Sequence, residues 1–412
     1  MNPEPNRKRR RLLYAGLAAG LGAVALWRLW PEQGIANPCR AVLPPHLANH
    51  EIVQAAWSGI DAAKVWDCHA HLAGNGDSGS GVWINPEAES LLHPLQYAQR
   101  LFYLNAACAN EAPGRVDRTY VERMQKLVGG MRPGVKLMLL AFDYSYGEDG
   151  AVSLDTSSFH APNEYARRIA ASYPGYFEWA ASVHPYRRDA VTALEEARRG
   201  GARAVKWLPA AMGIDPASPR CDAFYTALAR LDLPLITHGG MERAVNVGHQ
   251  EFGNPLRLRR ALEHGVRVVI AHCASMGEDR DLDRGANGPL VSSFSLFARL
   301  MDDPRYVGGL YGDLSAMTQS NRAGALATVI ERTEWHPRLL NGSDYPLPGI
   351  MPLYSVNYMV ELGLIEPALA PLLSEIRKHN PLLFDFVLKR NLSVGRRRLA
   401  AGVFETRPFF TR

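Results

Sequence analysis

Eight short apolar runs recur between residues 65 and 344 of this chain, and stretches with helical periodicity lie between most of them. The runs cover 65–72, 135–143, 177–184, 204–208, 233–238, 266–272, 307–313 and 338–344. Helical patterns over 189–199, 221–231, 255–264, 290–301 and 322–332 separate the later ones. Continuously apolar runs mark strands covered on both faces, and strand–helix alternation makes those strands parallel. Eight such units predict an α/β chain closed into a (β/α)₈ barrel of the TIM type rather than an open sheet. The chain, at 412 residues, is long enough for one. One connection does not fit the rhythm. Residues 73–133 separate the first run from the second, opening on the Gly-rich stretch 74–81 and then carrying helical patterns over 95–107 and 116–128. An insertion there belongs at the C-terminal face of the barrel, where it would cover a site as a lid.

In such a barrel, chemistry sits where strands run into their following loops. The first run ends in His69 and His71, which strand alternation puts on one face, a pleat apart. Two neutral imidazoles so placed can grip one metal ion. The same alternation predicts that Cys68 and Cys273, next to strand-end histidines, face the other way into packing. The fourth run ends in Lys206, the fifth in His238, the sixth in His272 and the eighth in Asp344. A single strand-end histidine is usually a satisfied core residue. Five strands presenting metal-competent groups at one rim point instead to a metal centre. Asp143, His184 and Asp313 end the second, third and seventh runs and are candidates for substrate contact. Arg187 is a candidate carboxylate clamp through its planar fork, and Asp77 in the Gly-rich stretch is a further candidate.

This set resembles the amidohydrolase superfamily: His-x-His on strand one, Lys on four, His on five and six, Asp on eight. The intervals of 32 residues from Lys206 to His238, 34 to His272 and 72 to Asp344 suit one, one and two strand–helix units. The Lys206-x-x-Pro209 context resembles dihydroorotase-like members, whose strand-four lysine is carboxylated and bridges two metals. The segment 376–384 resembles the Asn-containing C-terminal helix of smaller members. The resemblance implies one or two divalent ions, Zn first, with Mn or Fe as alternatives. Two ligand schemes follow. In one, His69, His71 and Asp344 hold one ion, His238 and His272 a second, and carboxylated Lys206 bridges them. In the other, His69, His71, His238 and Asp344 hold a single ion, and His272 orients or polarises the substrate. Either scheme implies a metal-dependent hydrolase acting on an amide, lactone, ester or similar bond of a small molecule, with Asp344 as general base and His272 as its catalytic partner. A mononuclear decarboxylase on the same barrel is the alternative, and a metal-free binding or scaffold protein of the cell envelope the rival from another class.

Charge is concentrated at the N-terminus. Residues 1–30 hold six basic side chains and one acid, and removing them from the chain's 46 basic and 41 acidic residues leaves a neutral body. A neutral body gives no basic face for nucleic acid. Residues 12–27 are uncharged, just short of a spanning helix unless Arg28 snorkels and Trp27 and Trp30 sit at the interface. Positive charge ahead of that segment predicts an uncleaved inner-membrane anchor with a cytoplasmic N-terminus and a periplasmic body. The alternatives are a cleaved export signal, for which 9–13 loosely resembles a twin-arginine pattern, and a buried helix. The expected organisation is tail and anchor over 1–30, linker and short helical lead-in over 31–63, barrel over 64–390 and tail over 391–412. Five cysteines without CxxC spacing read as buried, inert thiols. Oligomeric state leaves no sequence signal.

Overall fold

The computed structural model describes residues 33–40, 42–109 and 113–412. All eight expected strands are present: β1 (Trp66–His71), β2 (Lys136–Leu140), β3 (Phe177–Ala180), β4 (Val205–Trp207), β5 (Leu235–His238), β6 (Val268–Ala271), β7 (Leu310–Asp313) and β8 (Leu339–Leu340). They pair in parallel as β1–β2–β3 and as β4–β5–β6–β7–β8. Single parallel bridges, Ala181 to Val205 and Ala70 to Tyr345, join the two sets into a closed barrel.

Side chains alternate between two apolar layers, as the pleat requires. Leu137, Leu139, Val205, Leu235, Val268 and Leu310 face the outer helices. Met138, Leu140, Ala180, Ala204, Ile236, Val269, Tyr311 and Leu340 fill the barrel, with Trp66 and Cys68 among them. Phe409 and Phe410 belong to this inner layer, so the end of the expected C-terminal tail plugs the barrel. The outer helices show why their sequences fold as they do. Ala190–Arg199 buries Ala190, Leu194 and Ala197, one stripe at helical spacing. Asn380 caps Pro381–Asn391 by accepting from the backbone N–H groups of Leu382 and Leu383, satisfying donors that a helix start leaves free.

The long connection after β1 is two things. Its second helix, Val116–Gly129, buries Val116, Tyr120, Val121, Met124, Leu127 and Val128 and is the barrel's own first helix. The inserted part is the strand Trp83–Ile84, which pairs with Phe159–His160, and the helix Pro94–Ala106. Residues 33–40 are not a free linker. Asn37 donates to the carbonyls of Ala106 and Gly349, and Cys39 forms a disulfide with Cys108. That pairing corrects the expectation of five free thiols; Cys68, Cys221 and Cys273 are free and buried.

The expected anchor lies outside the described residues. The inner-membrane, periplasmic placement is corrected: among the described residues no helix is long and apolar enough to cross a membrane.

Candidate metal centre

The inner layer sets the site's address. Lys206 and His238 stand two positions above Ala204 and Ile236, and Asp313 two above Tyr311, so alternation turns all three inward at the C-terminal rim. On β1 the register against β2 shifts between Asp67 and Ala70. That bulge corrects the simple alternation: Cys68 lies in the inner layer with Trp66, Ala70 in the outer one, and His69 and His71 turn to the rim. Cys273 packs in the outer layer, as expected.

Backbone conformation re-aims two further side chains. His272 (φ 56°), Cys273 (50°) and Ala274 (49°) are left-handed in succession, and so is Asp344 (φ 61°). This region is costly for residues other than glycine and is retained where the surroundings over-determine it. Here those surroundings are hydrogen bonds. His272 N–H donates to Asp313 Oδ1 at 3.0 Å, and Asp344 N–H donates to the His69 carbonyl at 2.7 Å.

The resulting cluster is tight. Asp344 Oδ1 lies 3.1 Å from His71 Nε2 and 3.4 Å from His69 Nε2, and its Oδ2 lies 3.6 Å from His272 Nε2. Lys206 Nζ is 3.1 Å from His69 Nε2. His69, His71 and Asp344 offer ligand atoms within 4.8 Å of one another, as do His69, His272 and Asp313. His238 belongs to neither group; its ring stands 5.1 Å from that of His272.

The partners of the outward nitrogens are supplied by residues the sequence reading assigned elsewhere or passed over. Asp313 Oδ2 holds His69 Nδ1 at 2.9 Å. The Ser315 carbonyl holds His272 Nδ1 at 2.8 Å. Glu242 Oε2 lies 3.2 Å from His238 Nδ1. The first two contacts fix the proton on Nδ1 and leave Nε2 of His69 and His272 as a lone pair directed at the cluster, the tautomer a metal ligand needs. Burial pushes the pKa values of His69 and His272 down and that of His238 down to about 4, so all three are neutral at neutral pH. Burial also lowers Lys206. For Asp344, burial alone would raise the pKa, but the rings of His69 and His272, which become charged in acid, and a hydrogen bond from His71 hold it well below the carboxylate range. Neutral imidazoles and an ionised carboxylate are the donor chemistry of a divalent site, so these residues fit a metal ion.

Above the cluster lies a cavity of about 410 Å³, in the range of small-molecule sites. His69, His71, Lys206, His238, His272 and Asp344 all line it. The inserted segment supplies Ile84 and, from Pro94–Ala106, Gln99, Phe102 and Tyr103. Gln99 donates to the Arg243 carbonyl at 3.0 Å and Tyr103 to that of Ala244 at 2.5 Å, which ties the inserted helix to the loop after β5.

The expected substrate contacts fall elsewhere, for local reasons. Asp77 accepts from the N–H groups of Val116 and Asp117, starting that helix. Asp143 accepts from His184 N–H and from Arg187 Nη1. His184 is buried, with Nε2 at 2.9 Å from the Met212 carbonyl. Asp313 is fully buried beneath His69 and His272. None of Asp77, Asp143, His184, Arg187 or Asp313 lines the cavity. Glu242, Gln319 and Arg322 do line it and were not singled out. They sit on loops, where no periodicity flags them. Glu242 could have been found only from its place four residues after His238.

The amidohydrolase family model matches residues 66–362. No curated protein matches this chain. Among solved structures, the chain is similar to an uncharacterized TIM-barrel protein from Bordetella bronchiseptica, at 15% identity and TM-score 0.46, covering 74% of this chain and 92% of that one. It is similar to the 5-carboxyvanillate decarboxylase of Novosphingobium aromaticivorans, with bound manganese, at 12% identity and TM-score 0.42, covering 78% and 96%. The corresponding enzyme of Sphingomonas paucimobilis aligns at 12% identity and TM-score 0.41, covering 76% and 95%.

Proposed function

The chain belongs to the amidohydrolase family, and from that premise we propose that it is a metal-dependent hydrolase of a small molecule carrying an amide, lactone, ester or similar polarised bond. The observation that carries this reading is Asp344: an ionised carboxylate at the cavity floor, with one oxygen toward His69 and His71 and the other toward His272. His69 Nε2, His71 Nε2 and Asp344 would hold the ion, with His272 the next imidazole, its Nε2 3.6 Å from Asp344 Oδ2, and His238 beyond it; Zn, Mn and Fe all suit such donors. When bound, the ion supplies Lewis acidity that polarises the scissile bond and acidifies water at the site. Asp344 takes the proton of the attacking water and passes it to the leaving group. His272 is restricted to accepting, because its Nδ1 proton is committed to the Ser315 carbonyl and Nε2 has none to give. It therefore serves as a ligand or proton acceptor, not as a donor to a developing oxyanion. Lys206, buried and shifted toward its neutral form, is the amine from which a bridging carbamate would form.

Decarboxylation is the second reading, favoured by one observation: the cavity holds a buried cation, Arg322, with no ion pair among the described residues, suited to a carboxylated substrate. A screen over lactones, amides, esters and aromatic carboxylates in ¹⁸O-labelled water separates the two. Hydrolysis places the label in the organic product, whereas decarboxylation releases CO₂ and leaves the organic product unlabelled. Asp344→Asn is expected to reduce turnover by about 10² to 10⁴. Full turnover in that variant would overturn Asp344 as the base, and metal-free protein with full turnover would overturn the metal-dependent reading altogether.

A further inference from the structure

The loop after β7 carries two buried polar groups that the protein leaves unsatisfied. Arg322 is 6% exposed and Gln319 is 5% exposed, and both line the cavity. Arg322 Nη1 and Gln319 Nε2 are buried without a hydrogen-bond partner. Arg322 N–H donates to the Gln319 carbonyl at 2.9 Å, so one turn of backbone fixes the spacing of the two side chains. A buried guanidinium is almost always paired, because its desolvation is costly and each unused N–H adds to that cost.

The cavity's two buried carboxylates, Glu242 and Asp344, are engaged elsewhere. Glu242 is held by His238 Nδ1 and by the backbone N–H groups of Ala244 and Val245. Asp344 is surrounded by His69, His71 and His272. Arg322 thus sits close enough to both for electrostatic attraction but hydrogen-bonds neither. A guanidinium fork beside a carboxamide N–H₂ is a donor set matched to a planar carboxylate. Phe142, Phe159 and Tyr120 give the same cavity an apolar, aromatic wall.

We propose that Arg322 and Gln319 form a carboxylate-binding subsite, so that the substrate is a small carboxylate with an apolar body, anchored by its anionic end beside the metal centre. This deepens the functional reading above and rests on it for the identity of the reacting bond, but the subsite is tested by binding alone.

Calorimetric titration of the metal-loaded protein with benzoate and with benzamide, its neutral isostere, provides that test. Benzoate is expected to bind more tightly than benzamide. Arg322→Met is expected to weaken benzoate roughly 10- to 100-fold, the value of a lost charge-assisted bond, and to leave benzamide unchanged. Arg322→Lys should recover part of the loss, since it keeps the charge without the fork. Gln319→Leu should weaken benzoate and spare benzamide. Unchanged benzoate affinity in folded Arg322→Met would place the carboxylate elsewhere and overturn the subsite, as would wild-type protein that binds benzoate no more tightly than benzamide. If Arg322→Met fails to fold, the wild-type comparison and Gln319→Leu decide. Loss of hydrolysis with these binding differences intact would sink the hydrolase reading and leave the subsite standing.

Discussion

Asp313→Asn isolates the tautomer of His69 from the stability of the fold. Asp313 Oδ1 accepts from the N–H groups of His272, at 3.0 Å, and Ser315, at 2.9 Å, and from the Ser315 hydroxyl. Its Oδ2 faces His69 Nδ1 at 2.9 Å. Asparagine keeps an oxygen in the first position and puts an N–H₂ donor in the second. A donor facing Nδ1 biases the imidazole proton toward Nε2, the atom that faces Asp344 and would bind the ion, against the Ser315 hydroxyl oxygen 3.0 Å from Nδ1 as the weaker remaining acceptor. Restoring the ligating tautomer then means giving up a hydrogen bond and setting donor against donor, at about 1.5–3 kcal/mol. That converts to roughly 10- to 100-fold in metal affinity, the size found for outer partners of metal-bound histidines. Competition for Zn against a chromogenic chelator measures it directly. The metal-free variant should unfold within about 1 kcal/mol of wild type, because the acceptor of both backbone N–H groups survives. Asp313→Ala removes that acceptor and should lose about 2–6 kcal/mol, at 1–3 for each orphaned N–H. Wild-type Zn affinity in a folded Asp313→Asn protein would refute both the tautomer argument and the role of His69 as ligand.

Other expectations follow from packing and pH. A Cβ on Gly342 would stand 2.7 Å from His69 Cβ and 3.1 Å from His69 N, so Gly342→Ala should cost about 1–3 kcal/mol in denaturant unfolding and weaken metal binding by pushing β1 off β8. Loss of neither would show that the two strand ends are more compliant than their spacing implies. His184 has its pKa pushed down to about 4, chiefly by burial, against 6.5 in the unfolded chain. Its folded value is the lower one, so its contribution is complete above pH 6.5 and is lost as pH falls toward 4, by about 3 kcal/mol for a gap of about 2.5 units. Chemical denaturation of metal-free protein between pH 7.5 and 4 should give a shallower decline for His184→Gln than for wild type, with His238 supplying part of the slope that remains. Identical slopes would rule out His184 as a source of acid sensitivity.

The barrel was legible because its cause is local and repeated: eight apolar runs with one period, separated by amphipathic stretches, leave few topologies open. The cavity-floor residues His69, His71, Lys206, His238, His272 and Asp344 were legible because strand order brings strand ends to one rim; alternation aims Lys206 and His238, while the β1 bulge and left-handed backbone at His272 and Asp344 aim the rest. The inferred pocket contacts were less secure. Asp143 and His184 also end runs, but their local hydrogen bonds turn them to each other and to Arg187 and Met212, away from the cavity. Cys68 broke the alternation because a bulge inserts one residue between Asp67 and Ala70, which no composition signals.

Sequence by itself determined the periodicity, the strand order and the kinds of donor at each strand end, all properties of residues near one another in the chain. Tertiary structure decided which imidazole nitrogen faces inward, which carboxylate lies among the imidazoles and which beneath them, and which cavity cation has no ion pair among the described residues. Those depend on contacts between residues far apart in sequence, as between His69 and Asp313 across 244 positions. A hydrogen bond commits a proton only when both partners are in place, and only the closed barrel puts them there.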